Sequence, residues 1–285
     1  TIDAEEQDRL NLSLYIIKKL ALEKDIIDWP GFGIAIQAYG KRSLDVIDYL
    51  NNLLKKRTSM HVRLVKGAYW DYEIKHAQVL GYDGYSVFSK KSITDIAYLA
   101  CAKKILTNKN IHPKFATHNA HTISAICHLG KEKNYEFQRL YGMGELLYKN
   151  ASKKLKLKKA PSVYAPIGNY KDLLPYLVRR LLENGANSSF INRLLDPETD
   201  PKSLAENPYI RIKNEKKDIP LPKNIFINRL NSSGIDVSEK ENLESLYQKL
   251  NAFNGNLIDA ESIYIGRKSD NNQSESVFSV STGSK

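Results

Sequence analysis

Two arginines, Arg179 and Arg180, stand side by side in the apolar stretch YLVRRLLENGANSS, residues 176–189. A guanidinium is planar, permanently charged and forked, so a pair of them suits two-point capture of a carboxylate or a phosphate. Numbered along a helix, Leu174, Leu177, Val178 and Leu181 recur at i, i+3, i+4 and i+7 and predict one buried apolar face. Tyr176, Arg179, Arg180 and Glu183 recur at the same spacing on a second, polar face. Gly185 supplies the left-handed residue that often ends a helix. Two readings fit the stripe: a solvated face with an Arg179–Glu183 pair four residues apart, or a cationic clamp aimed at an anion. The segment alone does not choose between them.

A second set of chemically capable residues lies at the ends of short apolar runs. Runs at 31–39, 61–69, 114–119, 135–142 and 162–168 carry β-branched or aromatic residues and predict strands. At their ends stand Gln37 and Tyr39; Arg63, Lys66, Tyr69 and Trp70; Thr117, His118 and Asn119; Gln138; and Tyr164. Helical periodicities fill the gaps at 10–22, 45–54, 92–106 and 121–129, followed by the arginine helix. This alternation predicts an α/β fold with a parallel sheet covered by helices. Polar side chains at the carboxyl ends of successive parallel strands are the layout of a (β/α)8 barrel active site. The opening TID reads as the end of one more strand, with AEEQDRL starting its helix. That makes six strand ends where closure needs eight, so the expectation is an incomplete barrel with its first two βα units missing. A second chain supplying those strands is then an expected partner. No strand runs into G-x-G-x-x-G, which disfavours a dinucleotide-binding Rossmann domain.

The 285 residues can bury one large core, or a core plus an appendage, and 42% hydrophobic content is ordinary for a soluble protein. No run approaches the ~20 apolar residues needed to span a bilayer, and the first residues resemble neither a signal nor a transit peptide. Cys101 and Cys127 lack metal-type spacing, which points to a reduced, cytoplasmic setting. The net charge of +11 comes largely from scattered lysines, a weaker indication of nucleic acid than a compact arginine patch. The lysine-rich stretch 149–160 is expected to be a mobile solvated loop. His118 and His121 straddle a strand end and the next helix with no third ligand at a sensible spacing, so no metal is expected. After Asn192 the alternation fades into a proline-containing boundary, then a Lys- and Pro-rich linker at 212–224. Leu243 to Leu250 reads as one amphipathic helix, and the Ser/Asn-rich tail from Lys268 reads as disordered.

The longer motifs are specific. RLVKGAYWD (63–71), FATHNAHT (115–122), YEFQRLYGMGE (135–145), VYAPIG (163–168) and LLPYLVRRLLENGANSSF (173–190) occur in order. With TIDAEE and GFGIAIQAYGKRS, the chain over 1–205 resembles the proline dehydrogenase domain of bifunctional proline utilization A flavoproteins. Residues 206–250 then resemble a connector, and 251–285 the start of an aldehyde dehydrogenase domain, expected to be disordered. The resemblance implies FAD-dependent oxidation of L-proline to Δ1-pyrroline-5-carboxylate, with electrons passed to a membrane quinone. It implies a distorted (β/α)8 barrel whose last helix lies over the strand ends.

By resemblance, Arg179 and Arg180 bind the substrate carboxylate, which selects the clamp reading of the opening stripe. Tyr69, Leu140, Tyr164 and Tyr176 match positions that wall the proline ring, and Asp3 matches an active-site carboxylate. Gln37, Arg63, Lys66 and Trp70, with the backbones of Val65, Gly67 and Ala68, match flavin contacts. Thr117, His118, Asn119 and Gln138 match ribityl and phosphate contacts. Phe88, Ser89 and Lys90 align with the loop over the adenosine end, although the family commonly has Thr and Arg at the last two positions. Glu183 matches a position near the cofactor, or else orients Arg179. A substrate-site lysine on the units expected to be missing has no counterpart here. Because an unclosed barrel leaves the site incomplete, weak or no flavin retention by this chain alone is expected. Two other readings stay open: an inactive remnant of a split gene, and a barrel enzyme using Lys66 as a Schiff-base amine. Nucleic acid is not an implied partner. Localisation is expected to be cytoplasmic, with peripheral contact at the inner membrane for quinone access.

Overall fold

The computed structural model describes residues 1–185, 200, 202, 206–215, 219–253, 263–264, 267–268, 276, 278, 280 and 283. Within the unit Thr1–Asn242, five strands run parallel. They are β1 Gly33–Gln37, β2 Met60–Val65, β3 Ile111–Ala116, β4 Glu136–Leu140 and β5 Ser162–Tyr164. Their spatial order is their chain order, with no reversal. Ile2 continues the sheet beyond β1. Its N–H donates to Gly33 O and its carbonyl accepts from Ala35 N–H, each at 2.8 Å. The strand ending expected at the very start of the sequence is therefore present, and the fold is α/β with a parallel sheet.

The helices are α1 Leu10–Ala21, α2 Ser43–Leu53, α3 Trp70–Leu80, α4 Lys91–Thr107, α5 Ala120–Leu129, α6 Glu145–Leu155, α7 Tyr170–Gly185, α8 Pro208–Asn214 and α9 Lys240–Phe253. Strict alternation along β2 sends Met60, Val62 and Leu64 to the helix side, leaving His61, Arg63 and Val65 on the other. The first set packs with Ile34, Ile36, Phe115 and Phe137 against Ile47, Leu50, Ile105, Ile123 and Ile126. Each such fully buried side chain stabilises by roughly 1.5–3 kcal/mol relative to exposure. Helix α4 is the centre of the helix layer, in contact with α2, α5, α8, β2 and β3. Its Tyr98 hydroxyl donates to Leu64 O at 3.1 Å, and complete burial pushes that phenol well above its ordinary pKa. A smaller core of Tyr39, Ile74, Ala77, Tyr85 and Val87 joins α3 to the exits of β1 and β2.

Several expectations need correction. Helix α3 was not expected, because WDYEIKHAQVL offers only Ile74 and Ala77 as buried apolar residues. Strand β3 begins earlier than expected. Pro113 lacks the N–H that a central strand normally uses, which masks the preceding residues as a strand. The lysine-rich stretch is half helix: α6 runs to Leu155 and stops at Lys156, which is left-handed with φ 50°. Lysine is a good helix former, and buried Tyr148 and Ala151 anchor the helix. Helix α8 lies in a stretch expected to be irregular, started by Asn207, whose side chain accepts Tyr209 N–H at 3.0 Å. The apolar face of α7 is not buried: Leu174, Leu177 and Val178 are 56%, 48% and 43% exposed. Spacing identifies an apolar face but not what covers it. Leu181 lies outside the residues whose side chains are described.

The second unit runs from Leu243 to Lys285. Leu243, Tyr247 and Leu250 are exposed along α9, in the helix expected there. Ile263–Tyr264 and Arg267–Lys268 form an antiparallel pair, β6 and β7. The rest of the predicted disordered tail lies largely outside the described residues. Among the described residues, no helix is long and apolar enough to cross a membrane.

Candidate active site

The strands run parallel, so their carboxyl ends lie along one edge of the sheet and rim the face turned away from the helix layer. Register sets Gln37 beside Val65, and Ala116 beside Gln138. The chain leaves β2 through Lys66, Gly67, Ala68 and Tyr69. Gly67 has φ 135°, and a Cβ there would lie 2.5 Å from Tyr39 Cγ, so only glycine lets the backbone cross that ring. Gln37 fixes the crossing. Its Oε1 accepts Ala68 N–H at 3.3 Å, and its Nε2 donates to Glu5 O at 2.8 Å. The Tyr69 hydroxyl donates to Glu5 Oε2 at 2.7 Å. The Trp70 indole donates to Phe88 O at 2.9 Å, and Phe88 N–H donates to Tyr39 O at 2.8 Å. Burial, reinforced by the Glu73 carboxylate, pushes the Tyr39 phenol up and keeps it neutral. Ser89 and Lys90 follow and lead into α4, with Lys90 at its N-cap position.

Arg63 stands below this rim. Its Nη1 is 3.7 Å from Asp3 Oδ1, and its guanidinium carbon is 4.4 Å from the Tyr164 ring centroid. Two strands intervene between β2 and β5, a span of about 14 Å in a flat sheet. Side chains standing off a flat sheet would not meet across it, so this face is concave. On the same face Gln138 Nε2 donates to Glu136 Oε1 at 3.2 Å, where Lys114 Nζ and Ser162 Oγ also converge. Burial alone would raise the Glu136 carboxyl; Lys114, with Ser162 and Gln138, outweighs it and holds the group below its ordinary range. Among the described residues, the buried atoms on this face without a hydrogen-bond partner are His61 Nδ1, Arg63 Nε and, where the polar groups cluster, Gln138 Oε1. An unsatisfied buried donor or acceptor costs roughly 1–3 kcal/mol, so a donor and an acceptor on one concave face suit a polar ligand.

After β3 the chain turns through Thr117, His118 and Asn119. Thr117 Oγ1 accepts Asn119 N–H at 3.2 Å, and Asn119 Oδ1 caps α5 by accepting Thr122 N–H at 3.0 Å. His118 Nε2 accepts Leu140 N–H at 3.2 Å, which ties the β3 exit to the end of β4. Tyr148 of α6 donates to Thr117 O at 2.7 Å. Lys66 is ion-paired with Asp95 of α4, so it stands as one member of a charged pair and not as a lone amine.

The sequence matches the family model for proline dehydrogenase over residues 1–193. The chain belongs to the proline dehydrogenase family. It is 46% identical over 269 residues to the bifunctional protein PutA of Salmonella typhimurium, covering 87% of this chain and 20% of that protein. It is 45% identical over 261 residues to PutA of Rhizobium meliloti, covering 87% and 21%. The chain thus spans about a fifth of the length of these relatives. A crystal structure of bifunctional proline utilization A superposes with TM-score 0.86 at 44% identity, covering 92% of this chain and 27% of that one. The enzyme from Bdellovibrio bacteriovorus inactivated by N-propargylglycine superposes at 0.76 with 29% identity, covering 95% and 28%.

For this member of the proline dehydrogenase family, the residues singled out from sequence divide into two groups. Those on β1–β5 and their exits, from Asp3 to Tyr164, surround the concave face or its rim. Tyr176 is half-buried on α7. Arg179, Arg180 and Glu183 fall on the last turns of that helix, and their side chains lie outside the described residues. Sequence reasoning missed Glu5, which receives bonds from both Gln37 and Tyr69. Its signal was its offset of two from Asp3 on an extended end. It also missed Asp95, a carboxylate in the otherwise weakly polar run SITDIAY.

Proposed function

We propose that this protein is an FAD-dependent proline dehydrogenase that oxidises L-proline to Δ1-pyrroline-5-carboxylate and passes the electrons to a membrane quinone. The observation that carries this reading is the pair of unsatisfied buried atoms, Arg63 Nε and Gln138 Oε1, on the concave face of a chain in this family. A flavin offers a ring carbonyl to a donor such as Arg63 Nε and ribityl hydroxyls to an acceptor such as Gln138 Oε1, so it matches such a pair. Gly67, where no side chain fits, lets a planar ring system lie close to the backbone of Gly67 and Ala68. Sequential parallel order and the Arg63–Tyr164 contact across the curl support reading 1–205 as an arc of a (β/α)8 barrel, with 206–250 as its connector.

In this reading Gln37, Arg63, Lys66, Trp70 and the backbones of Val65, Gly67 and Ala68 hold the ring system. Thr117, His118, Asn119 and Gln138 hold the ribityl and phosphate part, and Phe88, Ser89 and Lys90 the adenosine end. Glu183 stands near the cofactor. A bound flavin supplies the acceptor for the hydride that leaves the proline ring carbon beside nitrogen. The protein's own task is placement. Arg179 and Arg180 clamp the carboxylate, while Tyr69, Leu140, Tyr164 and Tyr176 wall the apolar ring and exclude water. Asp3, close to Arg63, tempers the positive charge at that end. The protein works in the cytoplasm, touching the inner membrane peripherally to reach quinone.

The test is to purify the protein with FAD, record its flavin spectrum, and follow proline-dependent reduction of a soluble quinone analogue. With FAD held in excess to offset weak retention, the expected result is yellow protein, proline turnover, and progressive inactivation by N-propargylglycine. A protein that takes up no flavin, or that borohydride links to a carbonyl substrate at Lys66, overturns the reading.

A further inference from the structure

Asp95 is a buried carboxylate, 7% exposed, that holds cations from two distant parts of the chain. Its Oδ1 pairs with Lys66 Nζ at the exit of β2, and its Oδ2 is 3.7 Å from Arg211 Nη1 on α8. Helix α8 is itself fastened on both sides of that contact. Arg211 Nη2 donates to Glu206 O at 3.2 Å, and Ser92 Oγ of α4 donates to Glu215 Oε2 at 2.6 Å. Half-buried His121 on α5 senses the same cluster. Burial, then Arg211 and Lys66, push its imidazole down, against the opposing pull of Asp95. Segment 206–215 is therefore wired through one carboxylate to a lysine at the strand ends.

We propose that Asp95 and Arg211 are positioning residues for Lys66, which makes segment 206–215 part of the apparatus that binds the flavin. Arg211 orients Asp95, and Asp95 holds the Lys66 ammonium in place before the cofactor arrives. A lysine stem has four rotatable bonds, and ordering it in advance removes that cost from binding. The inference rests on the flavin reading of Lys66 given above.

The test uses Lys66→Met, Asp95→Asn, Arg211→Gln and Arg211→Lys in the whole protein, with FAD affinity by fluorescence quenching and thermal unfolding as a check on folding. Lys66→Met is expected to weaken FAD binding most, Asp95→Asn by about tenfold and Arg211→Gln by about threefold to tenfold. Arg211→Lys is expected to restore affinity in part, since an ammonium can pair with Asp95 but cannot also reach Glu206 as the fork does. Because Arg211 acts through Asp95, Arg211→Gln is expected to add nothing in the Asp95→Asn background. Tighter FAD binding by Asp95→Asn overturns the proposal, because the carboxylate would then only oppose an anionic ligand. So does a full Arg211→Gln effect in the Asp95→Asn background, which would mean direct action on the cofactor. If Lys66→Met leaves FAD binding unchanged, the flavin reading of Lys66 falls first and takes the inference with it. Hydrogen exchange on the unmutated protein is independent of variant folding: FAD is expected to slow exchange at 208–214, and unchanged rates overturn the link.

Discussion

Helices α4 and α7 present opposite cases. Helix α4 has poorly segregated polarity, yet Ser92, Thr94 and Asp95 are as buried as Tyr98, Cys101, Ala102, Ile105 and Leu106. It is enclosed by α2, α5 and α8 at the sides and by β2 and β3 behind. Helix α7 has a clean apolar stripe, yet Leu174, Leu177 and Val178 face solvent among the described residues. Burial is thus decided by position in the layer order, and amphipathicity states only which face would accept it. The corollary is a division of labour. Polar groups on an enclosed helix are held for wiring, whereas the polar face of an open helix is available to a ligand.

The sharpest way to break that division is at α7. Arg180→Ala is expected to cut kcat/KM for proline by on the order of 10²–10⁴, the loss of about 3–5 kcal/mol expected when a bound carboxylate loses its charged partner. The unfolding temperature should not move with it. A parallel fall in stability would make the arginine a structural group, and α7 would then resemble α4.

The next contrast is apolar. Ile105→Ala, at a fully buried position on α4, is expected to destabilise by about 2–5 kcal/mol in urea unfolding. Leu177→Ala on α7 should stay within about 0.5 kcal/mol. A cost above about 1 kcal/mol at Leu177 would mean that some element covers the stripe in solution.

What could be read in the sequence follows the same line. Strand ends were legible because alternating burial leaves a period-two trace and because polar residues accumulate where parallel strands stop, as at Arg63–Trp70 and Thr117–Asn119. Ile2 was legible because its neighbours repeat that pattern. Helix α3 was not, because only one thin edge of it is apolar. The Asp95 cluster was hidden for a different reason. Its members are 29 and 116 residues apart, and pairing over such separations is a property of the folded chain. The role of the paired arginines was legible only through family resemblance, since a charged helical stripe is by itself ambiguous.

The smallest expected effect separates the buried cluster around α4 from the concave face of the sheet by charge. The imidazole of His121 is lowered by burial and by Arg211 and Lys66, and Asp95 only partly compensates. His61 is lowered as well, by burial, then by Lys114 and His112, with Glu136 opposing. A histidine whose folded value lies below its unfolded one binds fewer protons in the native state as pH falls through the ordinary imidazole range. Folding therefore weakens from about pH 7 toward about pH 5, and the loss levels off below the folded value. The urea midpoint is expected to decline over that window, with a shallower slope in His121→Asn. Arg211→Gln should also flatten the slope, because it removes a cation that holds His121 neutral. If His121→Asn leaves the slope intact while His61→Asn abolishes it, acid sensitivity belongs to the concave face of the sheet, and the cluster around α4 carries no net proton penalty.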